Sequence, residues 1–458
     1  MSELPADWAL VAFSEVAELV RGVSYKKNEA DINPREGLIP ILRANNIQNG
    51  NLVLHDLVYV PTDKVKEKQL IKQGDIIVAM SSGSKKLVGK SGVCDKRITA
   101  SFGTFCGLIR AKSNCYPRYL GWFTQSKYYT DTISNLSKGV NINNLKPAHF
   151  EELQIPLPTL TEQKRIADKL DSVLAKVEAA QARLDKIPAI LKRFRQSVLA
   201  AATSGELTKD WRQKNLLTRI ERIEGIFELN FDVIEKSNIP ANWQYEALGN
   251  FAKCSRGKFS VRPRNDPSCF DGKYPFIQIG DLPKEGGAIV NHKQTLNEKG
   301  FSVSREFKTG TVVIAIVGAT IANTGITTYP VCFPDSLIGI NSPSDIENVY
   351  IDYVLRAFKE DIKRVSYAGG GQPNIKLTTI NPLPIPLPPK TEIEEIVTRV
   401  EALFEHSNTV EKQYYVAKAR LDKLTQSILK KAFEGELFND SVHLENSITD
   451  QVNKLEAV

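Results

Sequence analysis

Hydrophobic positions in this chain follow two rhythms. From 166 to 198, Ile166, Leu170, Val173, Val177, Ala180, Leu184, Ile187, Leu191, Phe194 and Val198 alternate steps of four and three. From 396 to 428, Ile396, Val400, Leu403, Ser407, Val410, Tyr414, Ala417, Leu421, Leu424 and Ile428 do the same. That spacing is the a/d seam of a coiled coil, and the positions between are rich in Lys, Arg, Glu and Asp, as a solvated face requires. At 1.5 Å per residue each stretch predicts a rod of about 50 Å. Pro188 lies inside the first, where a missing backbone donor costs about 3 kcal/mol, so a bend is expected there. Short apolar runs bounded by Gly, Asn, Ser and Pro predict strands at Asp75–Met80 and Thr311–Val317, with helical patterns near Tyr119–Ile133 and Ile351–Val365.

The two rhythms belong to a repeat. Leu-Pro-Ala-Asp-Trp ending at Trp8 returns as Ile-Pro-Ala-Asn-Trp ending at Trp243, and Arg21-Gly22 returns as Arg256-Gly257, both 235 residues on. Ile155-Pro156-Leu157-Pro158 returns as Ile385-Pro386-Leu387-Pro388, and Gly205-Glu206-Leu207 as Gly435-Glu436-Leu437, both 230 residues on. The expected fold is α/β (α+β): two similar globular domains and two long antiparallel coiled-coil helices. The borders are 1–158 and 239–388 for the globular parts, 159–205 and 389–437 for the long helices, 206–238 for a helical linker, and 438–458 for a tail.

Composition narrows the chemistry. The 458 residues carry 60 Lys and Arg against 53 Asp and Glu, a net charge of +7 that permits a polyanionic partner without requiring one. The start, MSELPADWAL, lacks the basic and apolar parts of a signal peptide, so a cytoplasmic protein is expected. Cys94, Cys106, Cys115, Cys254, Cys269 and Cys332 form no C-x-x-C pair, and the five histidines show no zinc spacing, so no metal site is expected. Three motifs fall short. The 84–91 stretch has Ser84 where a P-loop needs glycine, and no amphipathic helix follows. Asp335 with Asp361 and Lys363 loosely fits a magnesium nuclease, yet Asp361 and Lys363 lie on a helical pattern. Asn381-Pro382-Leu383-Pro384 lacks the aromatic that an adenine methyltransferase stacks on a flipped base. No catalytic residue is expected.

What remains is a set of polar, glycine-bearing loops in matching places. In the first repeat the candidates are Arg21, Tyr25, Lys26, Lys27, Arg43, Asn45, Asn46, Ser82, Ser84, Lys85, Lys86, Asn141, Asn143 and Asn144. In the second they are Arg256, Lys258, Gln278, Thr320, Tyr367, Gln372, Asn374 and Lys376. Lys and Ser suit phosphates, with Lys85 and Lys86 the main neutralisers; Arg, Asn and Gln suit base edges, with Arg43 and Asn45 foremost. A single such loop is better read as a surface turn; the matched set on a basic chain reverses that and points to nucleic acid.

Two diverged units, each closing on Ile-Pro-Leu-Pro with Glu162 or Glu392 soon after and then a long helix, resemble the specificity subunit of a type I restriction–modification system. Leu-Lys-Arg-Phe-Arg-Gln at 191–196 and Leu-Thr-Gln-Ser-Ile-Leu at 424–429, each leading to Gly-Glu-Leu, are similar to the enterobacterial type IA subgroup. Glu162-Gln163 fits the family pattern, and Glu392-Ile393 departs from it. The resemblance implies that each globular unit reads half of an asymmetric double-stranded DNA target while the helices act as a ruler. It implies two modification subunits using S-adenosylmethionine on adenine and restriction subunits using ATP and Mg; no homo-oligomer is needed, and no membrane partner is expected. The rival reading is the same architecture serving a type IIB-like or stand-alone methylation system, which differs in the partner and not in this chain. A self-contained methyltransferase or nuclease requires one of the incomplete motifs to be real.

Overall fold

The structure is a computed structural model describing residues 4–82, 87–136, 143–215, 220, 223–367 and 374–438. It divides into two compact units, one of Met1–Lys186 with Gln413–Val458 and one of Ile187–Lys412. Each therefore takes one globular part and a piece of each helical stretch, a division that falls elsewhere than the borders read from the motifs.

In the first unit a six-stranded sheet runs in the order Ala17–Arg21, Cys106–Ala111, Ile76–Ala79, Ser91–Val93, Asn51–Leu52 and Ile47–Gln48. Ile76 to Ala79 are buried without alternation, so this strand is covered on both faces and reads as one apolar run. A three-stranded sheet pairs Leu38–Leu42 with Ser101–Phe102 and Val58–Pro61. Ala9–Ala12 pairs antiparallel with Gln154–Leu157, where Pro156, lacking an N–H, is tolerated in a strand with a single neighbour. Tyr119, fully buried, donates its hydroxyl to the Pro156 carbonyl at 2.8 Å.

The second unit uses the same pairings. Lys253–Arg256, Leu337–Asn341, Val312–Ala315, Thr324–Thr327 and Ala288–Ile289 form one sheet. A four-stranded sheet is built on Phe270–Phe276. Gln244–Ala247 pairs antiparallel with Pro384–Leu387, and buried Tyr350 donates to the Pro386 carbonyl at 2.6 Å. The strands expected at 75–80 and 311–317 are thus present, trimmed to 76–79 and 312–315. Both expected shorter helices are split: Pro117–Phe123 and Lys127–Leu136, then Asp345–Ala357 and Lys359–Tyr367.

The first long helical stretch is not continuous. One helix covers Leu160–Leu184 and the next Ile187–Ser204, with a turn at Asp185 and Lys186. Pro188 has no N–H for the Leu184 carbonyl, so the ladder ends there and the proline falls in the first turn of the new helix, where it costs little. The bend expected at Pro188 is therefore a break just ahead of it. The second stretch is one helix, Lys390–Phe433, about 66 Å long at 1.5 Å per residue. Every named seam position is buried or half-buried. Among its described residues, the 206–238 stretch, expected to be helical, holds one helix, Lys209–Lys214. From 223 to 238 its backbone is tied sideways instead, Asn250 bonding both the Phe227 N–H (3.0 Å) and carbonyl (2.9 Å).

Side-chain pairs within each unit run up one stretch and down the other. In the second unit Arg195 pairs with Glu411 at 2.7 Å, and Arg399 with Asp210 at 2.6 Å. In the first unit Lys418 reaches Asp185 at 2.9 Å, and the Arg165 guanidinium lies 3.8 Å over the Phe438 ring. Phe433 completes the first core, its ring 5.2 Å from Tyr119 and 5.4 Å from Phe123. Gly435, at φ +80°, lies against Pro5, and Gly205, at φ +81°, against Pro240; a Cβ on either would fall within 2.4 Å of the proline ring.

The glutamates after the two Pro-rich strands differ in fate. Glu392 is fully buried and receives Thr208 Oγ1 (2.8 Å), Trp243 Nε1 (2.9 Å), Asn242 Nδ2 (3.2 Å) and an ion pair from Arg212. Glu162 stays near the surface beside Arg165 at 3.4 Å. There the next residue, Gln163, is the buried one, accepting from the Tyr116 N–H at 2.7 Å and donating to the Pro158 carbonyl at 2.9 Å. Ile393, which departs from the family pattern, fills that position as buried apolar volume. Among the described residues no helix is long and apolar enough to cross a membrane. All six cysteines are free, and burial pushes the Cys106, Cys115 and Cys254 thiols up to about 12.

Candidate nucleic-acid interface

In the first unit four segments meet at one end of the six-stranded sheet. Arg21 ends its strand opposite Gly107. Gly22 follows, and a Cβ there would lie 2.1 Å from the Gly103 carbonyl, so only glycine lets the two turns touch. The Met80 N–H bonds the Phe105 carbonyl at 2.8 Å, and the Leu145 N–H bonds the Met80 carbonyl at 2.7 Å. Ser81–Ser82 then pairs antiparallel with Asn143–Asn144. Arg21, Lys26, Lys27 and Asn144 are exposed, while Tyr25 is half-buried against Val23, Ile39 and Ile41. Ser84, Lys85, Lys86 and Asn141, and the side chain of Asn143, lie outside the described residues.

Phe105 stands among these polar groups with 69% of its surface exposed. Sequence reasoning missed it, because an aromatic beside the Cys106–Ala111 strand reads as core. Its signal was the glycine-bearing turn, Gly103-Thr104-Phe105, on which the ring is left exposed.

The Arg43 turn is more tightly organised than its sequence suggests. Arg43 Nη2 donates to the Asp56 carbonyl (2.7 Å) and Oδ2 (3.0 Å), and Asn45 Nδ2 shares that carboxylate at 2.8 Å. The acid holds both side chains in place at the surface. Asn46 is fully buried: its Oδ1 accepts from the Arg43 N–H (2.9 Å), and its Nδ2 donates to the carbonyls of Val53 (3.1 Å) and His55 (2.7 Å). This corrects the expectation for Asn46, whose amide closes the turn and presents nothing outward. The corresponding turn of the second unit is built alike, with the Gln278 N–H donating to Asp281 Oδ2 at 2.8 Å. The Gln278 side chain is exposed and donates to Gln294 Oε1 at 2.5 Å.

In the second unit Arg256 also ends its strand, and a Cβ on Gly257 would lie 2.2 Å from the Pro334 carbonyl. Arg256 Nε donates to the Asp335 carbonyl at 2.6 Å, and Arg264 pairs with the Asp335 carboxylate at 2.6 Å. Where the first unit projects Phe105, the second thus presents an acid clamped by arginine. Lys258 is exposed beside it, its N–H on the Phe333 carbonyl at 3.0 Å. A bridge between Val317 and Asn374 brings exposed Asn374 and Lys376 next to the turn carrying exposed Thr320. Tyr367 is exposed at the end of its helix, and Gln372 lies outside the described residues.

The incomplete catalytic motifs have structural partners. Asp335 serves the clamp above, Asp361 pairs with Arg364 at 3.4 Å, and the Asn381 and Leu383 carbonyls accept from Gly249 (2.8 Å) and Leu248 (2.9 Å). Among the described residues no group of three or more His, Cys, Asp or Glu could hold a metal ion. The geometry can present cationic, amide and aromatic side chains from rigid strand ends, which is the equipment for gripping phosphates and probing base edges.

Comparison with known proteins gives the same direction. The model of the type I restriction modification DNA specificity domain matches twice, over residues 5–189 and 240–416. The chain is 37% identical to the type I restriction enzyme StySPI specificity subunit of Salmonella potsdam, over 95% of this chain and 90% of that one. It is 36% identical to the EcoKI specificity subunit of Escherichia coli K12, over 99% and 96%. Among solved structures, a chain from a type I R-M system assembly aligns with TM-score 0.67 at 18% identity, covering 95% of this chain and all of that one. The HsdS subunit of Thermoanaerobacter tengcongensis aligns with TM-score 0.55 at 19% identity, over 95% and 98%. With two family matches covering most of its length and full-length relatives above 30% identity, this chain belongs to the type I restriction modification DNA specificity family.

Proposed function

We propose that each unit reads one half of a two-part double-stranded DNA target, and that the two long helical stretches set the length of unspecified DNA between the halves. Two modification subunits dock on this chain and methylate adenine with S-adenosylmethionine; restriction subunits, using ATP and Mg, join them. The chain itself contributes recognition and no catalytic group, and it works in the cytoplasm. The observation that carries this reading is the meeting of separate loops at one strand end in each unit: Arg21, Ser82, Phe105 and Asn144 in the first, Arg256, Lys258, Thr320 and Asn374 in the second. Lysines and backbone N–H groups there suit phosphates, and the Asp56-held Arg43 and Asn45 suit base edges. The test replaces residues 1–155 with the matching part of another family member and maps methylated adenines in cells that also carry the modification subunit. One half-site should change and the other stay. A change in both halves would refute the division of labour. The foreign segment must offer counterparts of Pro5, Tyr119 and Phe123, because Gly435 and Phe433 pack on them.

A further inference from the structure

The Ile187–Lys412 unit contains a recess that begins at the turn carrying Thr320, whose carbonyl accepts from the Asn323 N–H at 3.0 Å. A cavity of about 140 Å³ lies among the Ile187–Ser204 helix, the turns at 284–286 and 322–324, and the junction of the Asp345–Ala357 and Lys359–Tyr367 helices. At roughly 30 Å³ per water this holds four or five waters, the scale of one phosphate group.

Five cations line it, and two are already neutralised. Arg195 pairs with Glu411 at 2.7 Å and donates to Asn408 Oδ1 at 3.0 Å. Arg356 pairs with buried Asp352 at 3.3 Å and lies 5.0 Å over the Phe404 ring. These two are fixed walls. Lys192, Lys284 and Lys359 have no ion pair or hydrogen bond among the described residues. The acids in the lining are Glu285 and Glu360, and Glu360 has Lys363 as a neighbour at 3.9 Å. Lys359 is half-buried and opens its helix, where the macrodipole is already positive. Burial lowers its pKa; Glu360 and Glu285 oppose that, and Lys363 and Lys192 add to it. Three lysines without a direct ion pair, two exposed and one half-buried, thus face one small recess whose acids are Glu285 and Glu360, so positive charge is in excess there.

We propose that this cavity is a phosphate-group site, with Lys192, Lys284 and Lys359 as its ligands and Arg356 as its fixed wall. An ammonium is a compact charge with three donors, and a phosphate has enough acceptor oxygens to serve all three lysines at once. A backbone phosphate of duplex DNA and the phosphates of a free nucleotide share this chemistry; only the duplex source rests on the recognition reading above.

The experiment uses the full chain and two probes. Inorganic pyrophosphate is titrated by calorimetry, and duplex DNA binding is followed from about 50 to 200 mM salt. The wild type should take up one pyrophosphate per chain. The combined variant Lys192→Gln, Lys284→Gln, Lys359→Met should bind it at least tenfold more weakly. If the duplex fills the site, pyrophosphate competes with DNA and the variant's salt slope falls by about 0.9 for each phosphate it no longer neutralises. If a small phosphate compound fills it, the slope stays while pyrophosphate binding is abolished. Equal pyrophosphate affinity in both proteins with an unchanged slope overturns the assignment. Lys284→Gln alone, on an exposed turn, keeps the test decisive if the combined variant fails to fold.

Discussion

Glu392→Gln is a one-atom change with a large expected cost. All four neighbours of this carboxylate are donors: Arg212 and Thr208 on one oxygen, Trp243 and Asn242 on the other. A glutamine must turn its NH₂ toward one of these pairs, so either orientation opposes donor to donor. It also leaves the Arg212 guanidinium, with only 18% of its side chain exposed, without its counter-charge. Breaking a buried pair on one side typically costs about 3–5 kcal/mol. With a urea slope of about 3 kcal/mol per molar, the midpoint of the Ile187–Lys412 unit should fall by about 1–1.7 M. Buried Trp243, bonded directly to the carboxylate, gives a local fluorescence readout. Glu162→Gln is the internal control, because its pair with Arg165 is exposed and should cost under about 1 kcal/mol. Equal midpoints for the two variants would show that the buried carboxylate does not hold the start of the second long helix.

Asn46→Ala should lower stability by about 1–3 kcal/mol in the absence of DNA, since it strips partners from the Val53 and His55 carbonyls; thermal melting checks it. Phe105→Ser should leave the melting temperature unchanged yet weaken binding to the cognate duplex more than to unrelated duplex, as competition assays would register. Burial raises the pKa of Asp352 against the lowering pull of Arg356 and Thr324. The folded state then holds that proton more tightly than the unfolded one, so stability falls as pH rises from the ordinary carboxylate value through the raised one. Asp352→Asn should flatten that fall in urea titrations at stepped pH. Removing one heptad from each long stretch shortens it by about 10.5 Å, so methylation mapping should find the unspecified spacer about three base pairs shorter, with both half-sites intact.

Periodicity was the most legible part of this chain. Each seam position from Ile166 to Val198 and from Ile396 to Ile428 is buried or half-buried, because a heptad pattern depends only on local helix geometry. The break at Asp185–Lys186 was half legible: Pro188 announced it, but the apolar pattern continues through and hides where the ladder stops. The strand ends bearing Arg21 and Arg256 were located by their glycine-bearing loops. What the loops' residues do was less legible. Arg43, Asn45 and Asn46 are adjacent and chemically alike, yet two are held at the surface by Asp56 and the third is sealed by carbonyls from 53 and 55. Those partners are set by tertiary folding, beyond the reach of a local reading. Phe105 escaped notice for the opposite reason, since hydrophobicity argued for the core while its turn faces the ring outward.

The seating of Phe433 on Tyr119 and Phe123, and of Gly435 on Pro5, bears on how the protein is made. The Ile187–Lys412 unit is one unbroken stretch of chain, whereas the other unit is assembled from residues near both ends. On a ribosome adding about 5–20 residues per second, Phe433 is made roughly 15–60 s after Tyr119. For that interval the first-made half has no aromatic lid on its core, and the last-begun unit is the first able to finish folding. The nascent N-terminal half is therefore the part whose core stays open longest during synthesis.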